Sequence, residues 1–174
     1  CTYTTNLKDS SSKFDLFILS SSIVACETEV EAILFLKQFN KPILVVGPFA
    51  QTCPEKYIKA GGNVLMAEAD TTLNSNKEIL KKLSLEGKEV IPKNISSSVT
   101  ELPNPGWETV FKHKKCVMGF LGKGPSLAIT SSRGCPYSCF NYCTYPLQQG
   151  RKLRYESVIR IVDQIEYYLK NLLL

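Results

Sequence analysis

One histidine, His113, is all the imidazole this 174-residue chain carries, and its cysteines number an odd seven. Zinc structural sites take four Cys or His ligands, commonly as two separated pairs, and no second pair of that kind is present. A disulfide framework belongs to small secreted chains with an even set of cysteines, whereas no signal-peptide pattern heads this sequence and the count leaves one thiol over. No uninterrupted apolar run approaches the roughly 18 residues that mark a membrane span. These absences point to a reduced, cytoplasmic protein. Neither internal repeats nor long low-complexity segments occur. With 44% apolar residues and a net charge of +5, the composition is that of a globular chain able to bury a core in one or two domains.

What is present is concentrated. Cys135, Cys139 and Cys143 fall within nine residues, Cys135-Pro-Tyr-Ser-Cys139-Phe-Asn-Tyr-Cys143, between an apolar run, Pro125 to Ser131, and a basic, glycine-containing loop. The run reads as a strand, so the thiols sit on a loop at a strand end. Three close thiolates with no fourth protein ligand suit a four-iron, four-sulfur cluster with one iron open to another molecule. Zinc and inert cysteines are the alternatives. Cys1, Cys26, Cys53 and Cys116 are scattered and read as small apolar residues. The basic groups His113-Lys114-Lys115 and Arg151-Lys152-Leu153-Arg154, with Tyr145 and Tyr155 nearby, lack the extended basic stripe of a nucleic-acid surface; they read as solvated charge or as neutralisation of an anionic group.

The first half alternates strands and helices. Phe14 to Ser20 and Lys41 to Gly47 are apolar nearly throughout, as strands covered on both faces are. Glu27 to Phe39 places acids in its first turn and Val30, Ile33 and Leu34 on one face, the pattern of an amphipathic helix. Pro54 opens a short helix to Ala60, Asn63 to Met66 is a third strand, Asn76 to Leu83 continues as a helix, and Val90-Ile91 is a short edge strand. Strands separated by helices predict an α/β fold with a parallel, doubly wound sheet. Ligands of such sheets lie beyond the carboxyl ends of the strands, here at Ser20-Ser21-Ser22 and Gly47-Pro48-Phe49. Asn94 to Gly106 is rich in Ser, Pro and Asn and reads as a linker that Trp107, Val110 and Phe111 anchor by packing. The final segment carries Val158, Ile161, Val162, Ile165, Leu169 and Leu172 as one stripe of a helix, expected to be barrel core although this chain holds no barrel for it to pack against.

The words Ser132-Arg133-Gly134-Cys135-Pro136-Tyr137-Ser138-Cys139, Tyr142-Cys143-Thr144-Tyr145-Pro146 and Gly150-Arg151-Lys152-Leu153-Arg154-Tyr155 closely resemble the radical S-adenosylmethionine family. The spacing is C-x3-C-x3-C, one residue longer than the family's C-x3-C-x2-C. The resemblance implies that Cys135, Cys139 and Cys143 bind a 4Fe-4S cluster whose fourth iron holds S-adenosylmethionine, that Tyr142 packs near the adenine, and that a 5′-deoxyadenosyl radical abstracts hydrogen from a small-molecule or peptide substrate. An electron donor such as flavodoxin or ferredoxin would be a partner. The upstream half resembles, more loosely, the cobalamin (B12)-binding domain that precedes many such enzymes: its serine turn corresponds to Ser21 and Ser22, its Gly-Gly or Gly-Pro turn to Gly47 and Pro48, and its Gly-Glu-x-Glu segment to Met66-Ala67-Glu68-Ala69-Asp70. It implies a cobalamin site at Ser21, Ser22, Gly47, Pro48 and Glu68. The expected organisation is the C-terminal part of a Rossmann-like cobalamin-binding domain over residues 1–93, a linker over 94–124, and the first β/α unit of a partial TIM-type radical barrel over 125–174. On this reading the chain is an internal piece of a longer methyltransferase and not catalytically complete. A methylthiotransferase ranks lower, because the first-domain cysteines of that group are replaced by Ser20-Ser21-Ser22 and Gly47-Pro48. A catalytically silent metal- or cobalamin-binding module is the non-enzymatic alternative.

Overall fold

The computed structural model describes residues 7, 13–92, 99–111, 126–137, 139 and 143–173. Four strands, β1 (Phe17–Ser20), β2 (Ile43–Val46), β3 (Asn63–Leu65) and β4 (Glu89–Val90), form a parallel sheet in that spatial order. The apolar character of the strands has a direct cause. Ile43 and Val45 of β2 enter a cluster with Ile33, Leu36, Tyr57 and Ala60, while Leu44 enters a second cluster with Leu65, Ile79 and Val90. Adjacent residues point to opposite faces, so a strand covered on both sides takes apolar residues, or a polar one whose side chain is hydrogen-bonded, as Asn63 of β3 is to Ile43 O and Ser84 O. Each such aliphatic side chain contributes about 1.5–3 kcal/mol on full burial.

Helix α1 (Cys26–Leu36) and α3 (Pro54–Ala60) pack on each other over the first cluster. Asn40, with φ of 51°, turns the chain after α1, and Gly61, with φ of 105°, ends α3. Between β2 and α3 lies the short helix α2 (Pro48–Thr52). The second cluster is covered by α4 (Ala69–Ser75) and by 3₁₀ turns over Lys77–Lys82. The helix expected over 76–83 is thus replaced by an earlier α-helix followed by 3₁₀ turns. Asn76, at φ of −145° and ψ of 77°, leaves the helical region and separates the two. Thr71 and Thr72 carry little intrinsic helix preference, but both are buried, and tertiary burial overrides propensity there.

The second half is sparser. β5 (Ser132–Arg133) and β6 (Arg154–Tyr155) pair antiparallel, with α6 (Tyr145–Gln149) between them and α7 (Val158–Tyr168) after them. Ser157 caps α7 by accepting from the Arg160 backbone N–H at 3.2 Å. The strand expected over Pro125 to Ser131 is corrected: residues 126–131 form no strand, and pairing begins only at Ser132. A parallel strand needs a neighbour to receive its backbone groups, and no other parallel strand stands beside this segment among the described residues. The described residues accordingly contain no barrel.

The stripe on α7 has little to pack against among the described residues, with Ile161 and Leu172 half-buried. Val158 and Ile159 are 75% and 76% exposed, and Val162, Ile165 and Leu169 are open as well, whereas Gln164 and Tyr168 are buried. The helix docks through its polar face instead. Arg160 donates to the carbonyl oxygens of Val99, Thr100 and Leu102, and the Tyr168 hydroxyl donates to Pro105 O. The described part of the expected linker is therefore tied down along α7 and leads into α5 (Trp107–Phe111). Trp107 is half-buried, and its indole N–H has no hydrogen-bond partner among the described residues.

Candidate functional site

The carboxyl ends of β1 and β2 are fitted to each other. Ser21 N donates to Val46 O at 2.7 Å, and Ser21 Oγ accepts from the Ala50 backbone N–H at 2.9 Å, inside the first turn of α2. Gly47 has φ of 112°, and a Cβ there would stand 2.9 Å from Ser21 Oγ. Glycine is required on both counts. Ser22 is held by Glu29: its N–H donates to Glu29 Oε1 at 2.8 Å, its Oγ accepts from Ala25 N at 3.2 Å, and Glu29 Oε2 accepts from the Tyr57 hydroxyl at 2.7 Å. Burial and the adjoining Glu29 carboxylate raise the Tyr57 phenol well above its ordinary range. The hydroxyl oxygens of Ser21 and Ser22 thus each accept one backbone N–H within the sheet half.

Glu68 stands just beyond β3 and is 7% exposed. Its Oε1 accepts from Arg133 Nη1 and its Oε2 from Arg154 Nη1, both at 2.9 Å. Arg133 and Arg154 are directly opposed in the β5–β6 pair, which puts two guanidinium groups side by side. Such a pair demands a bridging anion. Arg133 Nη2 also meets Asp70 Oδ2 at 2.6 Å, so two cations and two carboxylates balance. The side chains of Arg133, Arg154 and Glu68 are largely withdrawn from water, at 17%, 13% and 8% exposed, while Asp70 stands at the rim at 47%. Neutrality is what makes that burial tolerable. Burial alone would raise the Asp70 carboxyl, but the hydrogen bond and charge of Arg133 outweigh it and hold the group below its usual value. Conversely, burial would lower the Arg133 guanidinium, and the Asp70 and Glu68 carboxylates more than restore it.

The same arginines frame the cysteine loop. Arg154 Nη2 donates to Gln149 O at 2.8 Å, Gly134 N to Gln149 Oε1 at 3.2 Å, and Cys135 N to Gly150 O at 3.1 Å. Gly134 has φ of 95°, and the Lys152 carbonyl lies where any Cβ would be. The loop is thereby closed at its base and fastened to the carboxyl edge of the sheet, and α6 packs on α2. A cleft of about 370 Å³ is bordered by Met66, Glu68 and Thr71 beyond β3 on one side and by Leu147, Gln149 and Arg154 on the other.

Cys135, Cys139 and Cys143 are half-buried free thiols. Among the described residues no three Cys, His, Asp or Glu side chains are gathered closely enough to hold a metal ion. Tyr142 lies outside the described residues. The donor chemistry of the loop therefore suits an iron-sulfur cluster, while its three sulfurs are not drawn together around one. For cobalamin, Ser21 and Ser22 each accept one backbone N–H and keep an O–H donor, whereas both carboxylate oxygens of Glu68 are taken by Arg133 and Arg154. The residues that sequence reasoning missed are Arg133, Arg154 and Asp70. All three stand inside the quoted motif words, and two arginines flanking a cysteine loop opposite an acidic segment were the available signal.

No family model matches the chain, and no solved structure matches it. Among curated proteins it is similar to an uncharacterized methyltransferase of Synechocystis sp., 28% identical over 154 residues, which cover 88% of this chain and 26% of that protein. It is also similar to an uncharacterized methyltransferase of Pyrococcus horikoshii, 26% identical over 159 residues, covering 78% of this chain and 34% of that protein. The chain thus spans about a quarter to a third of the length of these relatives.

Proposed function

We propose that this chain is part of a radical S-adenosylmethionine enzyme that transfers a methyl group, with Cys135, Cys139 and Cys143 as the ligands of a 4Fe-4S cluster. The observation that carries the reading is a three-thiol loop, closed by β5 and β6 and fastened through Glu68 to the carboxyl edge of an α/β sheet. The printed names of both relatives, methyltransferases, support the transfer chemistry. When bound, the cluster would supply the electron for reductive cleavage of S-adenosylmethionine. The chain's own residues position the loop. Glu68 neutralises Arg133 and Arg154, Gly134 admits the Lys152 carbonyl, and Gln149 receives the Gly134 amide. Cobalamin is the methyl carrier that the resemblance implies, and of its expected side-chain contacts Glu68 is committed to Arg133 and Arg154.

A second reading is favoured by one specific observation, that the three sulfurs are not gathered in a metal-holding group. On that reading the loop is a catalytically silent remnant. Anaerobic iron-sulfur reconstitution of this chain, with electron paramagnetic resonance before and after S-adenosylmethionine is added, separates the two. A reduced-cluster signal that shifts on addition, and that disappears when all three cysteines are changed to alanine, is the outcome expected of the enzyme. Failure of both this chain and its longer parent to retain iron would sink the radical reading and favour the silent module.

A further inference from the structure

Glu68 and Asp70 meet Arg133 and Arg154 at the base of the cysteine loop, and the four side chains sum to zero charge. Resting on the cluster reading above, we infer that this balance holds down the reduction potential of the 4Fe-4S cluster. The arginines fasten the loop, and the two carboxylates cancel the positive field that the arginines alone would place beside it. Net charge is one of the levers a protein has on the potential of an iron-sulfur cluster. Reduction adds an electron and makes the cluster more negative, so a neighbouring cation favours it and a neighbouring anion opposes it.

The network stands close enough to act. Arg154 Nη2 donates to Gln149 O at 2.8 Å and Cys135 N donates to Gly150 O at 3.1 Å. Two hydrogen bonds and one peptide unit therefore separate that guanidinium from the Cys135 backbone, a path of roughly 10 Å. Arg133 is nearer along the chain, two residues before Cys135. The network is also shielded, since the side chains of Glu68, Arg154 and Arg133 are only 8%, 13% and 17% exposed and salt screens such charges weakly. Arg151 and Lys152 lie on the same loop but are exposed, and solvent screens them. One unit charge at roughly 12 Å in an effective dielectric of about 20 changes a one-electron equilibrium about tenfold, equivalent to about 59 mV. Removing the charge of one carboxylate while keeping its shape leaves the network with one net positive charge.

The test is an anaerobic redox titration of the reconstituted chain and of its longer parent, read from the electron paramagnetic resonance of the reduced cluster without S-adenosylmethionine. Glu68→Gln keeps an acceptor oxygen and loses the charge, and should raise the reduced-to-oxidised ratio at a fixed potential about tenfold, a midpoint shift of about 59 mV. Asp70→Asn, whose side chain is 47% exposed, should raise it less. Arg154→Gln leaves one net negative charge and should lower the ratio about tenfold. Lys59→Gln, exposed on the last turn of α3, should leave it unchanged. Opposite shifts for opposite charge changes are not what a merely loosened loop gives, because loosening moves every variant the same way. Midpoints for Glu68→Gln and Arg154→Gln that coincide with wild type, or that move in one direction, would overturn the inference while leaving the cluster in place. If neither the wild-type chain nor its parent holds a cluster, the reading beneath falls and the inference falls with it. Asp70→Asn, at the rim, supplies the positive-charge arm if Glu68→Gln does not fold.

Discussion

Replacing Glu68 by alanine removes the anion that two guanidinium groups share. Neither arginine can retreat freely to water, since their side chains are only 17% and 13% exposed. Taking one partner from a buried ion pair costs about 3–5 kcal/mol where the orphaned charge has no other recourse. Here Arg133 keeps Asp70 and Arg154 keeps the Gln149 carbonyl, which moderates the cost to roughly 2–4 kcal/mol by the same reasoning. For a chain of this length that corresponds to a fall in melting temperature of about 5–15 °C. Glu68→Gln, which retains an acceptor and loses the charge, should fall between wild type and alanine. Thermal melts followed by circular dichroism measure the loss, and limited proteolysis locates it: cleavage in the segment 135–153 should accelerate more than cleavage in the sheet half. A Glu68→Ala melting curve within about 1 °C of wild type, less than a surface substitution's usual 0.5 kcal/mol would produce, would refute the claim that this carboxylate fastens the cysteine loop to the sheet.

The Asp70 carboxyl is held below its ordinary value of 3.8, so its contribution is present above that value and is lost as the pH falls through the depressed one. Stability measured by urea titration should therefore drop as the pH is taken below about 4, with a flatter profile in Asp70→Asn. Gly134→Ala should cost more than the roughly 1 kcal/mol of a strained backbone alone, because its Cβ collides with the Lys152 carbonyl; exchange protection at Cys135 N–H reports the opened loop base. Ile159→Lys on α7 should change stability by no more than about 0.5 kcal/mol and lower binding of a hydrophobic dye, since that side chain is 76% exposed; a large loss would place it in the core.

How much could be read in advance differs between the two halves. In the sheet half, buried strands report their own environment: Ile43 to Val46 must be apolar at every position because both faces are covered, and that is visible without coordinates. Helix α4 was not visible, because Thr71 and Thr72 become helical only through burial. In the second half the apolar stripe Val158, Val162 and Ile165 identified the helix, but periodicity does not say which face finds a partner within this chain. Arg160 and Tyr168 decided that, by meeting the carbonyl oxygens of Val99 to Pro105.

The sequence by itself determined the parallel α/β sheet, the strand-end turns at Ser21 and Gly47, and a loop rich in thiols, because each is a local pattern of residue types. Only the tertiary structure decided that Glu68 turns its carboxylate to Arg133 and Arg154, and that Ser21 Oγ accepts from the Ala50 amide across the two strand ends. The physical reason is that pairing energies depend on distance and desolvation. Residues 65 and 86 positions apart in the chain acquire both only after the chain has brought them together.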